Sequence, residues 1–266
     1  MRFRDHMTTS QEHGRLWGVR AQDWADYQEA TVRPVFEAVL DRTRVGPGTR
    51  YLDAGCGSGM AAMMAAERGA QVTGVDASEE MLAIARSRVP GGEFRQADLE
   101  ALPFADESFD VVTGFNSLQY AGNPVAALRE AGRVTKRGGF VVIATFGNPD
   151  GMGAAALITA LKPLLPPAAP NAPGPFALSD EAALRRFATD AGLRPVEVFD
   201  VDSPWIYADE AAAVRGLTST GNAVRAMECV GEDVVVDTYV KAVAAFRQPD
   251  GSIRASAWFR CLVAQP

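Results

Sequence analysis

The chain has 266 residues, of which 47% are hydrophobic, so it is long enough to bury a sizeable core. Its formal net charge of −7, without a run of lysines or arginines, argues against a nucleic-acid partner, because phosphates require a basic surface. No apolar run approaches the roughly 18 residues that cross a bilayer, and widely separated cysteines offer neither a disulfide framework nor a zinc site. We therefore expect a cytoplasmic protein with no membrane partner and no metal.

The N-terminal part of the chain is expected to be helical. Its first ten residues are polar and charged, which disfavours a signal peptide, and helices are predicted between Gln22 and Asp41. We assign residues 1–44 to a helical lid and residues 45–266 to the main domain.

Five predicted strands then alternate with helices. The strands are expected at Arg50–Ala54, Gln71–Asp76, Glu93–Ala97, Asp110–Phe115 and Gly139–Phe146, and the helices at Ser58–Arg68, Ser78–Arg88 and Pro124–Val134. This rhythm is typical of an α/β fold with a doubly wound parallel sheet that helices cover on both faces. Ligands of such sheets bind beyond the carboxyl ends of the strands.

The C-terminal half predicts two more strands and two insertions. A helix that Ser179-Asp180-Glu181 caps precedes a sixth strand at Pro195–Phe199, and Arg254–Ala264 alternates like a seventh, antiparallel strand. We expect cap insertions at about 151–178 and 203–250. The first includes a proline-rich connector at 163–175, and the second includes a helical cap from Ala208 to Phe246.

A glycine-rich turn follows the first strand. Asp53 is followed by Gly55, Gly57 and Gly59 at alternate positions, where glycine lets backbone N–H groups approach a ligand closely. The dinucleotide fingerprint G-x-G-x-x-G would require a glycine where Met60 stands. The turn therefore disfavours a nicotinamide oxidoreductase.

The next two strands also end in acids, Asp76 and Asp98. The pattern D-x-G-x-G-x-G with two further strand-end acids resembles the class I S-adenosylmethionine (SAM)-dependent methyltransferases. The likeness covers roughly Val45 to Phe146 and is nearest the small-molecule branch, which includes quinone-biosynthesis and natural-product methyltransferases. It implies a Rossmann-like methyltransferase fold with a seven-stranded, mostly parallel sheet, a last strand that is antiparallel, and SAM as the cofactor.

The resemblance implies a set of cofactor contacts. In that family, the acids at the positions of Asp53, Asp76 and Asp98 contact the methionine end, the ribose and the adenine. The full set of expected cofactor-binding residues is Trp17, Tyr27, Asp53, Ala54, Gly55, Gly57, Gly59, Asp76, Ala77, Met81, Ala97, Asp98, Leu99 and Asn116. The alternative for any one acid is a cap of a strand-to-helix turn.

Candidate catalytic residues follow the fourth strand and precede the first. Asn116 and Tyr120 stand where related amide-directed enzymes carry a proline-containing motif, and the absence of those prolines argues against amide acceptors. Asn116 has the alternative of a simple turn residue. His13 is a candidate base, because N-terminal segments of related enzymes fold over the SAM site, whereas Trp24 and Tyr27 have the alternative of helix packing.

The expected function is transfer of a methyl group from SAM to an oxygen or nucleophilic carbon of a small organic acceptor, in secondary metabolism. The alternative is a SAM-binding cyclase, or a protein that uses SAM as a structural or electrostatic cofactor without transfer. The sequence leaves open the acceptor and whether the chain forms a homodimer.

Overall fold

A large β-sheet lies at the centre of the protein, which a computed structural model describes over residues 7–167 and 174–266. The strands are β1 (Arg50–Ala54), β2 (Gln71–Asp76), β3 (Glu93–Gln96), β4 (Phe109–Phe115), β5 (Thr135–Phe146), β6 (Arg194–Asp202), β7 (Trp205–Tyr207), β8 (Ile253–Ala255) and β9 (Trp258–Gln265). Seven of them form the large sheet, in the order β3, β2, β1, β4, β5, β9, β6. Strands β1 to β5 pair in parallel, whereas β9 lies antiparallel between β5 and β6. This confirms the predicted sheet.

Helices cover both faces of the large sheet. The α-helices are α1 (Thr9–Gly18), α2 (Ala21–Asp23), α3 (Arg33–Arg42), α4 (Met60–Glu67), α5 (Glu79–Arg88), α6 (Pro124–Val134), α7 (Gly153–Thr159), α8 (Glu181–Asp190), α9 (Glu210–Thr218), α10 (Gly221–Val230) and α11 (Glu232–Val243). Helices α3, α4 and α5 pack on one face, while α6 and α8 pack on the other. Because successive strand residues point to opposite faces, Tyr51 joins the first core and Leu52 the second.

Local capping explains where several helices begin. The Ser78 hydroxyl accepts a hydrogen bond from the Met81 backbone N–H at 3.3 Å, and the Asn123 side chain accepts one from Ala126 N–H at 3.1 Å. Pro124 occupies the first turn of α6, where its missing N–H has no partner to lose. The helices α5 and α6 therefore begin where the sequence predicts.

The C-terminal segment differs from its prediction as one strand. Residues 258–265 form β9 of the large sheet, but β8 pairs with β7 in a separate two-stranded sheet. Between the two strands, Ser256 Oγ accepts the Gly153 backbone N–H at 2.9 Å. Alternation alone did not reveal this break, because buried and more exposed residues alternate without interruption from Ile253 to Cys261, across both strands.

A third apolar core, in addition to the two on the faces of the large sheet, lies in the two regions predicted as insertions. Helices α7, α9, α10 and α11 share this core with the small sheet of β7 and β8. Its fully buried side chains include Leu157, Val235 and Val243. The proline-rich connector predicted at 163–175 lies partly outside the described residues.

The N-terminal helices fall into two groups. Helix α3 buries Val35 and Val39 against Val142 and Phe259 of the large sheet, so it belongs to a face of that sheet. The preceding segment packs instead on α5 and α10. Within residues 7–167 and 174–266, we find no helix with the length and apolar character that a bilayer crossing requires.

Candidate cofactor and active site

The glycine turn bends sharply around the end of β2. The backbone N–H groups of Gly55 and Cys56 both donate to the Val75 carbonyl, at 2.8 and 2.9 Å. Gly55 has a φ of +82°. A Cβ there would lie 2.3 Å from Ser117 Cβ, so this close approach between the ends of β1 and β4 requires glycine.

The last glycine of the turn sets the packing of the helix that follows. Gly59 has a φ of +85°, and a Cβ on it would lie 2.7 Å from Ala85 Cβ of α5. Close helix packing is the role that the dinucleotide fingerprint gives to its third glycine. In this chain Gly59 takes that role, which explains how Met60 is tolerated at the next position.

Asp53 is a buried carboxylate without a counter-charge. Its side chain is 2% exposed, and Oδ1 accepts a hydrogen bond from the Thr113 hydroxyl at 3.1 Å. Burial raises the pKa of Asp53 against the Thr113 hydrogen bond, and the nearby carboxylates Glu29 and Asp76 also raise it, so that it reaches about 7. Among the described residues, no basic side chain forms an ion pair with Asp53. A carboxylate in this state fits an incoming ammonium group.

Asp76 is held by the backbone of the turn and of α5. Its Oδ2 accepts the Gly57 N–H and its Oδ1 accepts the Ser78 N–H, both at 2.9 Å. Shielding from water raises the pKa of Asp76, and these N–H donors oppose that rise. Each oxygen retains a second lone pair, so the carboxylate is oriented and can still accept bonds from ligand hydroxyls.

Asp98 lies one strand farther from the turn. Its Oδ1 accepts the Glu100 N–H at 3.0 Å, and the preceding Ala97 N–H donates to the Asp76 carbonyl at 3.1 Å. Because β1, β2 and β3 are neighbours, all three acids lie at the same edge of the sheet. The local bond to Glu100 also matches the alternative of a simple turn-capping acid.

The N-terminal segment crosses this edge. A Cβ on Gly14 of α1 would lie 2.3 Å from the Ala77 carbonyl oxygen, and one on Gly122 would lie 3.1 Å from Thr9 Oγ1. Helix α1 therefore reaches from the end of β2 to the loop beyond β4. The predicted cofactor residue Ala77 lies directly beneath it.

Trp24 is the aromatic residue at the glycine turn, and the sequence did not single it out for the cofactor site. Its Nε1 lies 3.7 Å from where a Gly57 Cβ would stand. Trp17, which was predicted, packs edge-on against Trp24 with ring centroids 4.9 Å apart. The sequence gives only a weak indication of which tryptophan lies at the turn, because both residues lie in the same helical pattern.

Tyr27, another predicted cofactor residue, contacts helix α9 of the cap. Its hydroxyl accepts a hydrogen bond from Arg215 of α9 at 2.8 Å, and the guanidinium lies 4.4 Å from the ring centroid. A cation already covers one face of this ring. The structure therefore connects Tyr27 to the cap, and its cofactor role stays a prediction.

The remaining apolar residues of the predicted cofactor set pack in the core. Ala54 is fully buried and Met81 is 1% exposed. Ala97 and Leu99 are partly buried and pack against the core on the α6 side. Their cofactor roles stay predictions.

The segment after β4 carries two of the three candidate catalytic residues. Asn116 has a φ of +48°, a region that asparagine tolerates better than most residues, and its Oδ1 accepts the Gln119 side-chain amide at 2.9 Å. Tyr120 ends a 3-10 turn at Leu118–Tyr120. Burial raises the pKa of Tyr120 to about 12, so its phenol stays protonated at neutral pH.

His13, the third candidate, is partly buried on α1. Burial lowers the pKa of His13, the Arg225 guanidinium lowers it further, and Glu12 opposes them. A neutral imidazole is the form that accepts a proton. Within the described residues, no hydrogen bond joins His13 to Asn116 or Tyr120.

A concavity of about 790 Å³ lies at the opposite edge of the sheet. Its lining includes Arg50, Gln71 and Glu93, the first residues of their strands. Ligands of open α/β sheets bind at the carboxyl ends of the strands, so we place the site at the glycine turn instead.

Comparison with known proteins gives the chain its relatives. Residues 52–143 match a family profile described as "Methyltransferase domain". The demethylmenaquinone methyltransferase of Renibacterium salmoninarum is 41% identical over 111 residues, which cover 42% of this chain and 47% of that protein. The match thus spans about half the length of that relative.

Two further comparisons extend over most of the chain. The ubiquinone biosynthesis O-methyltransferase of Ruegeria pomeroyi is 30% identical over 205 residues, which cover 73% of this chain and 82% of that protein. The crystal structure of the cyclase SpnF is similar in fold, with a TM-score of 0.56 over 87% of this chain and 80% of that chain, at 22% identity. The family predicted from the glycine turn and the strand-end acids is confirmed: the chain belongs to the class I SAM-dependent methyltransferases.

Proposed function

We propose that this protein transfers the methyl group of SAM to an oxygen or nucleophilic carbon of a small organic acceptor. The observation that carries the proposal is Asp53, a buried carboxylate that has no counter-charge among the described residues and lies beside a turn of backbone N–H groups. An ammonium group on a ligand would supply that missing charge. SAM brings such an ammonium together with an electrophilic methyl group on its sulfonium.

Each residue at this edge then has a task in binding. Asp53 neutralises the ammonium, and Asp76 accepts bonds from the ribose hydroxyls through the lone pairs that Gly57 and Ser78 leave free. Trp24 covers the turn at Gly57 and excludes water from it. Methyl transfer is an in-line displacement, so correct alignment alone can lower the barrier by about 7–11 kcal/mol.

Two residues differ in what they can do with a proton. Tyr120, with a pKa of about 12, donates a hydrogen bond at neutral pH and does not act as a base. His13 has a lowered pKa and is neutral, so it is the candidate base for an acceptor that does not arrive ionised. A phenol, enol or carboxylate acceptor needs no such base.

The acceptor side favours an apolar or aromatic molecule. Phe146 ends β5 at the carboxyl edge of the sheet, with its ring centroid 5.8 Å from that of Phe176 and 6.4 Å from that of Trp205. The Trp205 indole N–H is buried and has no partner among the described residues. Buried donors are normally satisfied, so this N–H is available to an acceptor oxygen.

The names of the relatives agree with this acceptor class. They include a demethylmenaquinone methyltransferase and a ubiquinone biosynthesis O-methyltransferase. By this likeness we propose a small aromatic or enolic acceptor in secondary metabolism. We further propose that the protein works in the cytoplasm.

Calorimetry with SAM and S-adenosylhomocysteine tests the cofactor, and absence of binding would refute the proposal. Incubation with methyl-labelled SAM and a panel of phenols, enols and carboxylic acids tests transfer. Labelled product supports methyl transfer. Converted product without label would support the non-transferring alternative, in which SAM is only an electrostatic cofactor.

A further inference from the structure

A buried ion pair joins the N-terminal segment to the glycine turn. Glu29, which begins a 3-10 turn after the π-helical turn Trp24–Gln28, is 3% exposed and pairs with Arg88 at the end of α5. Other acidic partners in ion pairs of the described residues keep at least 19% of their side chains exposed. Glu29 therefore has little access to water, whereas Arg88 keeps 21% of its side chain exposed.

Both members of the pair also bind the backbone of the turn. Glu29 Oε1 accepts the Met60 N–H at 3.1 Å, at the first residue of α4. Arg88 donates to the Ser58 carbonyl at 3.0 Å and to the Ala25 carbonyl at 3.1 Å. The N-terminal segment, the glycine turn that leads into α4, and the end of α5 thus meet at one carboxylate and one guanidinium.

A purely structural role does not require charges at this place. A buried ion pair is no more stabilising than apolar residues of similar volume, because both ions lose hydration. This pair lies between the segment that covers the cofactor edge and the turn that forms it. The Glu29 carboxylate also acts on Asp53, since it contributes to the raised pKa of that carboxyl.

We propose that Glu29 and Arg88 are positioning residues for the cofactor: they hold the glycine turn against the N-terminal segment and act through Asp53 without touching the ligand. This inference rests on the proposed binding of the SAM ammonium to Asp53. If the pair acts through Asp53, neutralising its two members should change the pH dependence of binding in opposite directions.

The groups around Asp53 determine that pH dependence. Those that act on it, or on which it acts, are Glu29, Asp76, Tyr51, Cys56 and the Thr113 hydroxyl. Burial raises the pKa values of Tyr51 and Cys56, so both stay neutral near pH 7. The remaining acidic and basic neighbours are Asp76 and the Glu29–Arg88 pair.

The experiment measures the affinity of the full-length protein for S-adenosylhomocysteine by calorimetry from pH 5.5 to 9. Affinity of the wild type should fall about tenfold per pH unit below the pKa of Asp53, near 7, because the protonated carboxyl does not pair with an ammonium. Glu29→Gln leaves Arg88 unpaired and should move this midpoint to lower pH. Arg88→Gln leaves Glu29 unpaired and should move it to higher pH, each by about 0.5 to 1 unit.

Three further variants separate charge from geometry. Arg88→Lys keeps the charge but loses the planar fork, and Glu29→Asp keeps the charge but shortens the reach; both should weaken binding several-fold at every pH with an unchanged midpoint. Glu37→Gln, in the exposed pair of Arg33 and Glu37, is the control and should change neither quantity.

Opposite shifts of the midpoint support the proposal, whereas shifts in the same direction, or none, overturn it. Circular dichroism identifies a variant that fails to fold, and each remaining variant still tests its own predicted direction. Failure of the wild type to bind S-adenosylhomocysteine would instead refute the proposed function, so the two failures are distinguishable.

Discussion

The cofactor edge and the helical cap are built by different kinds of contact. At the cofactor edge, Asp76 and Glu29 are held by backbone N–H groups within a few residues of the glycine turn. In the cap, apolar side chains of α7, α9, α10 and α11 form the core, and exposed ion pairs join these helices to the N-terminal segment. The same backbone contacts form in any protein that has this turn. An apolar core, in contrast, can be built from many different combinations of side chains. The first region therefore indicates its ligand, whereas the acceptor that the second region would bind is a proposal.

The largest expected effect is at Asp53, and it sharpens this contrast. Asp53→Asn should lower affinity for SAM at pH 8 by about 100-fold or more, because the ammonium loses its counter-charge. The same variant should stabilise the ligand-free protein at pH 8. The folded-state pKa of Asp53 is raised from 3.8 to about 7, so ionisation makes unfolding easier as the pH rises through that window.

The loss of stability that ionisation of Asp53 causes is complete above pH 7, where it amounts to at most about 4 kcal/mol, and it is absent below pH 4. Urea unfolding of the ligand-free wild type and Asp53→Asn at pH 5 and pH 8 measures it. The gain in the free energy of unfolding should be larger at pH 8. An equal or smaller gain at pH 8 would show that Asp53 is not a strained, unpaired carboxylate.

Asp76→Ala should weaken SAM binding by about 10- to 100-fold, because it removes the acceptor for ribose hydroxyls and leaves two N–H groups unpaired. Tyr120→Phe should change binding less than about threefold, since we assign its hydroxyl to the acceptor and not to SAM. Calorimetry of both variants beside the wild type measures the difference. Equal losses would contradict the assignment of the two sides.

Trp24→Phe should remove most of the change in tryptophan fluorescence that SAM causes, and weaken binding by a few-fold. The reason is its position above Gly57, in the covering segment. Trp258→Phe is the matched control, because Trp258 packs in the cap region beside Gly147. If the SAM-induced fluorescence change disappears in Trp258→Phe and persists in Trp24→Phe, the cofactor does not bind at the glycine turn.

The smallest effect is expected at the exposed ion pairs of the cap. Glu228→Gln removes the pair with Arg15 between α10 and α1, and should lower the free energy of unfolding by no more than about 1 kcal/mol. Glu181→Gln, in the exposed pair with Arg185 on α8, is the control. Thermal unfolding at low and high salt compares them. A loss above that range would mean that charge, rather than apolar packing, holds the cap to the N-terminal segment.

Several features at the cofactor edge could be predicted because their signals are local. The strands β1 and β2 and the helix α6 have the bounds that alternation, glycines and caps indicated. The turn itself is encoded by residues at positive φ, such as Gly55 and Gly59, where a side chain would collide with Ser117 or Ala85. Such constraints act within a few residues and leave a readable spacing.

The contacts that complete the site depend on chain folding. Glu29 and Trp24 reach the turn from the N-terminal segment, whereas Arg88 reaches it from the end of α5. Tyr27, close to both in the sequence, contacts Arg215, so no spacing in the sequence distinguishes these outcomes. The strand predicted at Arg254–Ala264 divides between two sheets for the same reason. Local residues were enough to indicate the fold, the family and the cofactor. Which side chains surround that cofactor was decided by long-range packing, since burial and charge pairing depend on neighbours distant in the chain.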